Sequence, residues 1–239
     1  MALGIPAVSS AEGMPADDAL CEAIVSLSPS GVACTLTKLP KISNTMSAKI
    51  CTIARKRGLF CIPSDSPLML ACSLRAKNED EHERQLSIVA MLIACGLDIN
   101  CKNRDGRTCL VSSLDSENPR LAAFLLRMGA DPNVRFSGTF DGPTRLTPLH
   151  IAAQNNIAVN DLIMSGANIN ATDSIGWTPL HAAAICSSDD PFRLLTAAGA
   201  DEVPAEGTGT PSEIRKWNKA EMRRRRGDTD EKFRDLSED

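Results

Sequence analysis

The chain has 239 residues, 43% of them hydrophobic and 3% aromatic, so it can build a substantial core from small and aliphatic side chains. Its formal net charge of −4 argues against a dominant nucleic-acid surface, although it leaves room for a local basic patch. No apolar run approaches the ~18 residues that a membrane span needs, and no basic region precedes an apolar N-terminal segment, so we expect neither membrane insertion nor a signal or transit peptide.

The N-terminal segment, residues 1–16, is rich in small residues, Gly and Pro, and we expect it to be flexible. Residues 17–27 follow with the spacing of a short helix. Residues 28–45 read as a poorly defined connection, and a second helix is expected from Ser43 or Asn44 to Arg57.

The centre of the chain repeats one pattern. Its clearest copy is Thr-Pro-Leu-His-Ala-Ala-Ala at 178–184, and Thr-Pro-Leu-His-Ile-Ala-Ala at 147–153 precedes it. Two degenerate copies of the pattern begin at Ser66 and Thr108. Each copy ends in a glycine, at positions 96, 129, 166 and 199, which are 33, 37 and 33 residues apart. A period of ~33 residues is typical of stacked helix-pair repeats.

One copy predicts its own local structure. Thr147 is a good N-cap, and Pro148 suits the first helical position, which needs no amide partner. Two adjacent alanines allow a neighbouring helix to approach closely. A second apolar helix follows, and the closing glycine ends it in a left-handed conformation. One helix pair cannot bury its own apolar face, so the pairs must stack.

These motifs resemble the ankyrin repeat, over roughly residues 66–201. The resemblance implies an all-α fold, an ankyrin-repeat solenoid of stacked helix-turn-helix units with hairpin-like fingers. We therefore divide the chain into a flexible segment (1–16), a divergent N-terminal helical cap or repeat (17–65), four ankyrin repeats (66–201), a degenerate C-terminal capping repeat (202–227) and a charged tail (228–239). Within the first repeat, the charged segment Arg75–Gln85 is expected to form an exposed loop.

The sequence offers few candidates for metal-binding or catalytic residues. The nine cysteines have no metal-type spacing, so we expect no metal. No phosphate-binding glycine loop precedes a helix and no base is evident beside a cysteine, so we expect no cofactor and no catalytic residue. The odd cysteine count and the repeat pattern favour a reducing compartment. His150 and His181 occupy equivalent positions and could form a metal pair or a catalytic base. The motif that carries them favours hydrogen bonds to backbone groups of their own or the next repeat.

In ankyrin repeats the fingers and first helices line a concave surface that meets the partner. Carried onto this chain, the resemblance implies a set of partner-binding residues on fingers and first helices. The set consists of Lys102, Arg104, Asp115, Phe136, Phe140, Arg145, Ile151, Gln154, Asn155, Ser174, Ile175, Ile185 and Cys186. Phe136 and Phe140 lie in an enlarged finger, where they either serve as exposed anchors or fold back onto the repeats.

The basic run Arg223–Arg226 could be a nuclear-import signal or a contact for an acidic partner, but acidic neighbours favour a solvated helix face. The resemblance implies a non-catalytic adaptor, inhibitor or targeting subunit that binds one or more proteins and no small-molecule substrate. The alternative is a constitutive subunit of a large assembly. We expect a cytoplasmic protein, with the nucleus left open by the basic run.

Overall fold

The structure is a computed structural model that describes residues 16–36, 66–103, 105–138, 145–186, 188–205 and 207–226. The described residues form helices joined by turns, with two isolated antiparallel bridges and no strand. The chain divides into two compact units, residues 1–131 and 132–239.

The N-terminal unit contains three helix pairs among its described residues. The first helix of each pair packs on the first helix of the next, and the two members of a pair pack on each other. The helices are α1 (Ala16–Val25), α2 (Pro29–Leu36), α3 (Pro67–Ser73), α4 (Glu79–Ala94), α5 (Cys109–Asp115) and α6 (Pro119–Arg127).

The C-terminal unit repeats this arrangement. Its first helices, α7, α9 and α11, pack side by side, and α8 and α10 pack behind them. The helices are α7 (Pro148–Asn155), α8 (Val159–Met164), α9 (Pro179–Ile185), α10 (Asp190–Ala197) and α11 (Pro211–Arg226). None of the described helices in either unit is long and apolar enough to cross a bilayer.

Equivalent leucines form the core of the repeats. Leu68, Leu110, Leu149 and Leu180 each follow the first helical position of a first helix, and each is fully buried. Burial of one such side chain stabilises the fold by about 1.5–3 kcal/mol. The same register in all four copies confirms the predicted repeat.

The N-terminal helical pair differs from its prediction. The segment expected to connect two helices contains α2, which begins at Pro29. Ser28 starts this helix, because its hydroxyl accepts from the Gly31 amide at 3.2 Å and its carbonyl from the Val32 amide at 3.0 Å. The second helix expected at residues 44–57, and the flexible segment up to residue 15, lie outside the described residues.

The predicted loop at residues 75–85 is also corrected. Helix α4 begins at Glu79, and the side chain of Asn78 caps it by accepting from the Glu81 amide at 2.9 Å. Glu79, Asp80 and Glu81 then place negative charge at the positive end of the helix dipole. The charges that suggested a loop therefore stabilise the first turn of a helix.

The C-terminal cap contains one long helix. Helix α11 begins at Pro211, directly after Thr210, as the repeat spacing predicts, but it runs for 16 residues whereas α7 and α9 have 8 and 7. The charged tail lies outside the described residues.

Candidate protein-binding surface

His150 connects its own helix to the next finger. Its Nδ1 accepts from the Thr147 amide at 3.2 Å and lies 2.8 Å from the Thr147 hydroxyl, which forms a capping box at the start of α7. Its Nε2 lies 3.0 Å from the carbonyl oxygen of Trp177. Because Nδ1 accepts from an amide, the neutral ring donates from Nε2. The predicted backbone-bonding role of His150 is confirmed.

His181 repeats the capping bonds in α9. Its Nδ1 accepts from the Thr178 amide at 3.1 Å, and the ring stacks on Trp177 with the centroids 5.8 Å apart. Burial lowers the pKa of both His150 and His181, because a buried ring is harder to charge. Backbone carbonyls of the following fingers, at Trp177 and Gly209, oppose this lowering. His150 therefore bonds through both ring nitrogens, whereas His181 bonds through Nδ1 alone and its buried Nε2 has no hydrogen-bond partner among the described residues.

The second repeat lacks this device. Val111 stands where the third and fourth copies have histidine, and the hydroxyl of Thr108 at the start of α5 is buried without a hydrogen-bond partner. In α11, Glu213 takes the equivalent place, and its carboxylate accepts from the Thr210 amide at 2.8 Å. This bond lowers the pKa of Glu213, because it stabilises the charged form.

Asparagine side chains join successive turns, a feature that the sequence analysis missed. Asn133 donates to the carbonyl of Gly166 at 3.0 Å and accepts from the Asn168 amide at 2.7 Å. Asn100 makes the same pair of bonds to the turn at Gly129–Asp131. The recurrence of Asn a few residues after Gly, about one period apart, was the available signal. These bonds fix the base of each finger.

The finger after α8 presents two of the predicted residues. The carboxylate of Asp173 accepts from the amides of Ile175 and Trp177, both at 2.9 Å, which folds the finger tip into a tight turn. Ser174 and Ile175 are exposed at this tip, and 51% of the Ile175 surface is open to solvent. The finger therefore displays an aliphatic side chain on a fixed backbone.

The first helices place further predicted residues at matching positions. Gln154 and Asn155 are exposed at the end of α7, and their equivalents in the packed neighbour α9 are Ile185, which is 38% exposed, and half-buried Cys186. Ile151 is half-buried one turn earlier in α7. Residues three or four positions apart share one face of a helix, so Ile151, Gln154 and Asn155 form a single stripe.

The enlarged finger corrects one prediction. Phe136 is 3% exposed and cannot serve as an exposed anchor. Its amide and carbonyl pair with Leu146 at 3.1 and 3.0 Å, which holds the residue at the base of the finger, and burying a ring there is favourable. Phe140 lies outside the described residues, whereas Arg145 is exposed with a left-handed φ of 62°.

In the N-terminal unit, Lys102 and Asp115 are on the surface, and Arg104 lies outside the described residues. Asp115 forms an ion pair with Arg107 at the end of α5. Partial burial raises the pKa of the Asp115 carboxyl, and the Arg107 guanidinium opposes the rise. The structure gives these residues no further common site.

Trp217 is an exposed aromatic residue that the sequence analysis missed. It follows Thr210 by seven positions, as Ile185 follows Thr178 and Gln154 follows Thr147, so it occupies the same outward position in α11. Of the surface of this residue, 68% is exposed to solvent. The Thr-Pro spacing that located α11 would have identified this residue.

Within the described residues, no group of three or more His, Cys, Asp or Glu side chains is arranged to hold a metal ion. Among the described residues, Cys72, Cys95, Cys101, Cys109 and Cys186 form no disulfide. Cys109 and Cys72 are both buried in packed first helices, where contact with Cys72 and then burial raise the pKa of the Cys109 thiol. A raised thiol pKa reduces the thiolate fraction that nucleophilic chemistry requires.

The comparisons with known proteins agree with the repeat structure. A family model described as ankyrin repeats (3 copies) matches residues 136–204. An ankyrin repeat protein of Acanthamoeba polyphaga mimivirus is 35% identical over 101 residues, 42% of this chain and 12% of that protein. An ankyrin repeat protein of Fowlpox virus is 35% identical over 139 residues, 54% of this chain and 39% of that protein.

A third relative, RelA-associated inhibitor of Mus musculus, is 46% identical over 57 residues, which are 23% of this chain and 7% of that protein. The chain thus spans less than half the length of each of these relatives. Ankyrin repeats generally mediate contacts between proteins. The recurring helix pairs, their shared capping bonds and the family match show that this chain contains ankyrin repeats, which the family model places at residues 136–204.

Proposed function

We propose that the chain is a non-catalytic protein-binding module whose partner docks on the C-terminal unit. The finger surface consists of Gln154, Asn155, Ser174, Ile175, Ile185 and Cys186. The observation that carries the proposal is the exposure of Ile175 and Ile185 at outward positions. The positions that form the core and the capping bonds of the same repeats, which we call the frame, are buried or hydrogen-bonded. Exposed aliphatic side chains ringed by polar ones are typical of protein interfaces.

The geometry supports binding by a preformed surface. The finger tip is held by the Asp173 carboxylate, and its base is held through the bond of His150 to the Trp177 carbonyl. A partner therefore meets side chains whose backbone is already ordered, which reduces the entropy cost of association. This favours the role of adaptor, inhibitor or targeting subunit. One relative, RelA-associated inhibitor, carries an inhibitory role in its name, and a role of that kind fits this surface.

Site-specific photocrosslinking tests the proposal. A photoreactive phenylalanine analogue replaces Ile175 or Ile185 in the full chain, which is then irradiated in extract of the source organism. The control places the same analogue at Met164, which is 79% exposed at the end of α8 and outside the finger surface. We expect both finger-surface positions to crosslink to one shared protein and the control position to give none of it.

The captured protein is then purified and its affinity measured. Ile175→Asp and Ile185→Asp should each weaken binding by about tenfold or more, because each places a charge in an apolar contact. The proposal would be contradicted if the same protein crosslinked at Met164 with an equal yield, or if both aspartate variants bound it with unchanged affinity. A monodisperse monomer in sedimentation favours the adaptor, whereas an insoluble isolated chain favours a permanent subunit.

A further inference from the structure

Helix α11 extends beyond the end of α9, the first helix on which it packs. The side chain of Asn218 donates to the carbonyl of Ile185 at 3.1 Å, so the eighth residue of α11 meets the last residue of α9. The eight residues after Asn218 therefore continue for ~12 Å beyond α9, at ~1.5 Å per residue. Lys219 reaches Asp189 just before α10, with 2.7 Å between Nζ and the carboxylate oxygen.

The inner side of α11 is held by specific contacts. Asp189 binds Arg215 at 2.8 Å as well as Lys219, and the guanidinium of Arg215 lies 4.2 Å from the centre of the Phe192 ring. Hydrogen bonds from Lys219 and Arg215 lower the pKa of the Asp189 carboxyl, so this anchor stays charged at neutral pH. The orientation of the helix, and thus of its outer side, is fixed.

The outer side of α11 combines one large aromatic ring with two cations, and exposed Glu213 lies on the same side in the first turn, where its carboxylate accepts from the Thr210 amide. We name Lys216, Trp217, Ala220 and Arg224 the α11 surface. All four residues are exposed, and at 100° per residue they lie on the side of the helix opposite buried Pro211 and half-buried Asn218. The whole helix carries seven basic and two acidic residues, although the chain as a whole has a net charge of −4.

We propose that the α11 surface binds an acidic helix of a partner protein. Trp217 packs against an apolar side chain of that helix, and Lys216 and Arg224 pair with its carboxylates. Ala220 lies between the three larger residues and allows the second helix axis to come within the ~8–10 Å of ordinary helix packing. Trp and Arg are the residues that most often dominate binding energy at protein interfaces. This surface adds to the finger surface and does not depend on it.

The composition of α11 favours a protein over a membrane or a nucleic acid. A membrane-surface helix needs a broad apolar face, but the outer side of α11 has one aromatic ring among charged residues. Glu213 and Glu221 interrupt the basic residues, and a phosphate backbone would be repelled by them. An acidic helix can place its carboxylates opposite Lys216 and Arg224 and neutral side chains opposite Glu213, whereas a nucleic acid carries a phosphate at every nucleotide.

The test measures binding of fluorescent model peptides to the full chain by anisotropy. The probes are helical peptides of about 20 residues in which Glu flanks a stripe of Leu and Ala, and matched peptides carry Gln in place of Glu. One set of variants is Trp217→Ala and the double reversal Lys216→Glu, Arg224→Glu. The matched control is Arg127→Glu, Arg193→Glu, which makes the same charge change at two exposed residues on second helices. Circular dichroism and urea midpoints check that each variant is folded.

We expect the Glu peptides to bind and the Gln peptides to bind at least about tenfold more weakly. Trp217→Ala and the double reversal should each weaken binding by about tenfold or more, and the matched control by less than about twofold. Binding that ignores both α11 variants, or no binding of any Glu peptide, overturns the proposal. It is also overturned if phosphatidylserine vesicles or poly-uridine RNA bind in a Trp217-dependent way while the peptides do not.

Discussion

Replacement of His150 tests whether the imidazoles hold the repeats together. In His150→Ala the Trp177 carbonyl loses its donor, the Thr147 amide loses its acceptor, and His150 itself is only 2% exposed. A buried polar group left unpaired costs about 1–3 kcal/mol. With two such groups, we expect the free energy of unfolding to fall by about 3 kcal/mol.

A second substitution separates the two roles of the ring. Glutamine at this third helical position can accept from the Thr147 amide, as Glu213 accepts from Thr210 in α11, so His150→Gln keeps the capping bond. It loses the reach to the Trp177 carbonyl. We therefore expect the free energy of unfolding of His150→Gln to lie about 1–2 kcal/mol below that of wild type, a smaller decrease than in His150→Ala. Urea unfolding followed by circular dichroism and by tryptophan emission gives these values.

The pH dependence has a definite sign. Burial lowers the pKa of His150 in the folded protein, whereas the unfolded chain titrates near ~6.5. Below that pH the unfolded chain binds the proton first, so the stabilisation by His150 is complete above pH ~6.5 and is lost as the pH falls. His150→Ala should therefore lose less stability than wild type between about pH 7.5 and 5.5. Equal pH slopes, or a loss below about 1 kcal/mol at neutral pH, would refute the reasoning.

Three further predictions concern the frame, each checked by urea unfolding. Thr108→Val should leave the free energy of unfolding unchanged or slightly raised, because it removes a buried hydroxyl without a partner. Thr147→Val should lower it by about 1 kcal/mol, because that hydroxyl is bonded. Equal effects of the two variants would contradict this. Gln85→Ala should cost about 3 kcal/mol, since Gln85 is buried and donates to two carbonyls at 2.7 and 2.9 Å, and exposed Ser87→Ala should cost little; a small Gln85 effect would rule out the assigned network. Asn133→Ala should cost about 1 kcal/mol through its bonds to the next turn, and an unchanged midpoint would show that these bonds are dispensable.

The repeat frame could be predicted from the sequence because its signals are local. A Thr or Ser N-cap, a following Pro and a closing glycine act within one or two turns, and helices α5, α7 and α9 begin directly after Thr108, Thr147 and Thr178. The closing glycines have a positive φ, 93° at Gly129 and 88° at Gly199, as the predicted left-handed ends require.

Features that depend on distant partners could not be predicted in this way. Gln85 belongs to a charged stretch, yet it is buried, and Asn118, 33 residues later, donates to its side chain at 3.0 Å. The sequence left Phe136 either as an exposed anchor or as a ring folded back onto the repeats, and the ring is buried where the backbone of Phe136 pairs with Leu146 across the enlarged finger. In both places a contact between separate segments overrides the local composition.

The outward residues of the first helices are separate from the residues that stabilise the repeats, so binding and stability can be measured independently. Gln154, Ile185 and Trp217 occupy one outward position in three successive first helices, and their side chains differ widely in size and polarity. The equivalent frame position just after the first helical residue is a fully buried leucine in α7 and α9. Such variation is tolerated because the bonds that order each repeat involve other residues. Substitutions at these three outward positions should therefore change affinity with little change in the urea midpoint, so a loss of binding at Ile185 or Trp217 measures the contact itself.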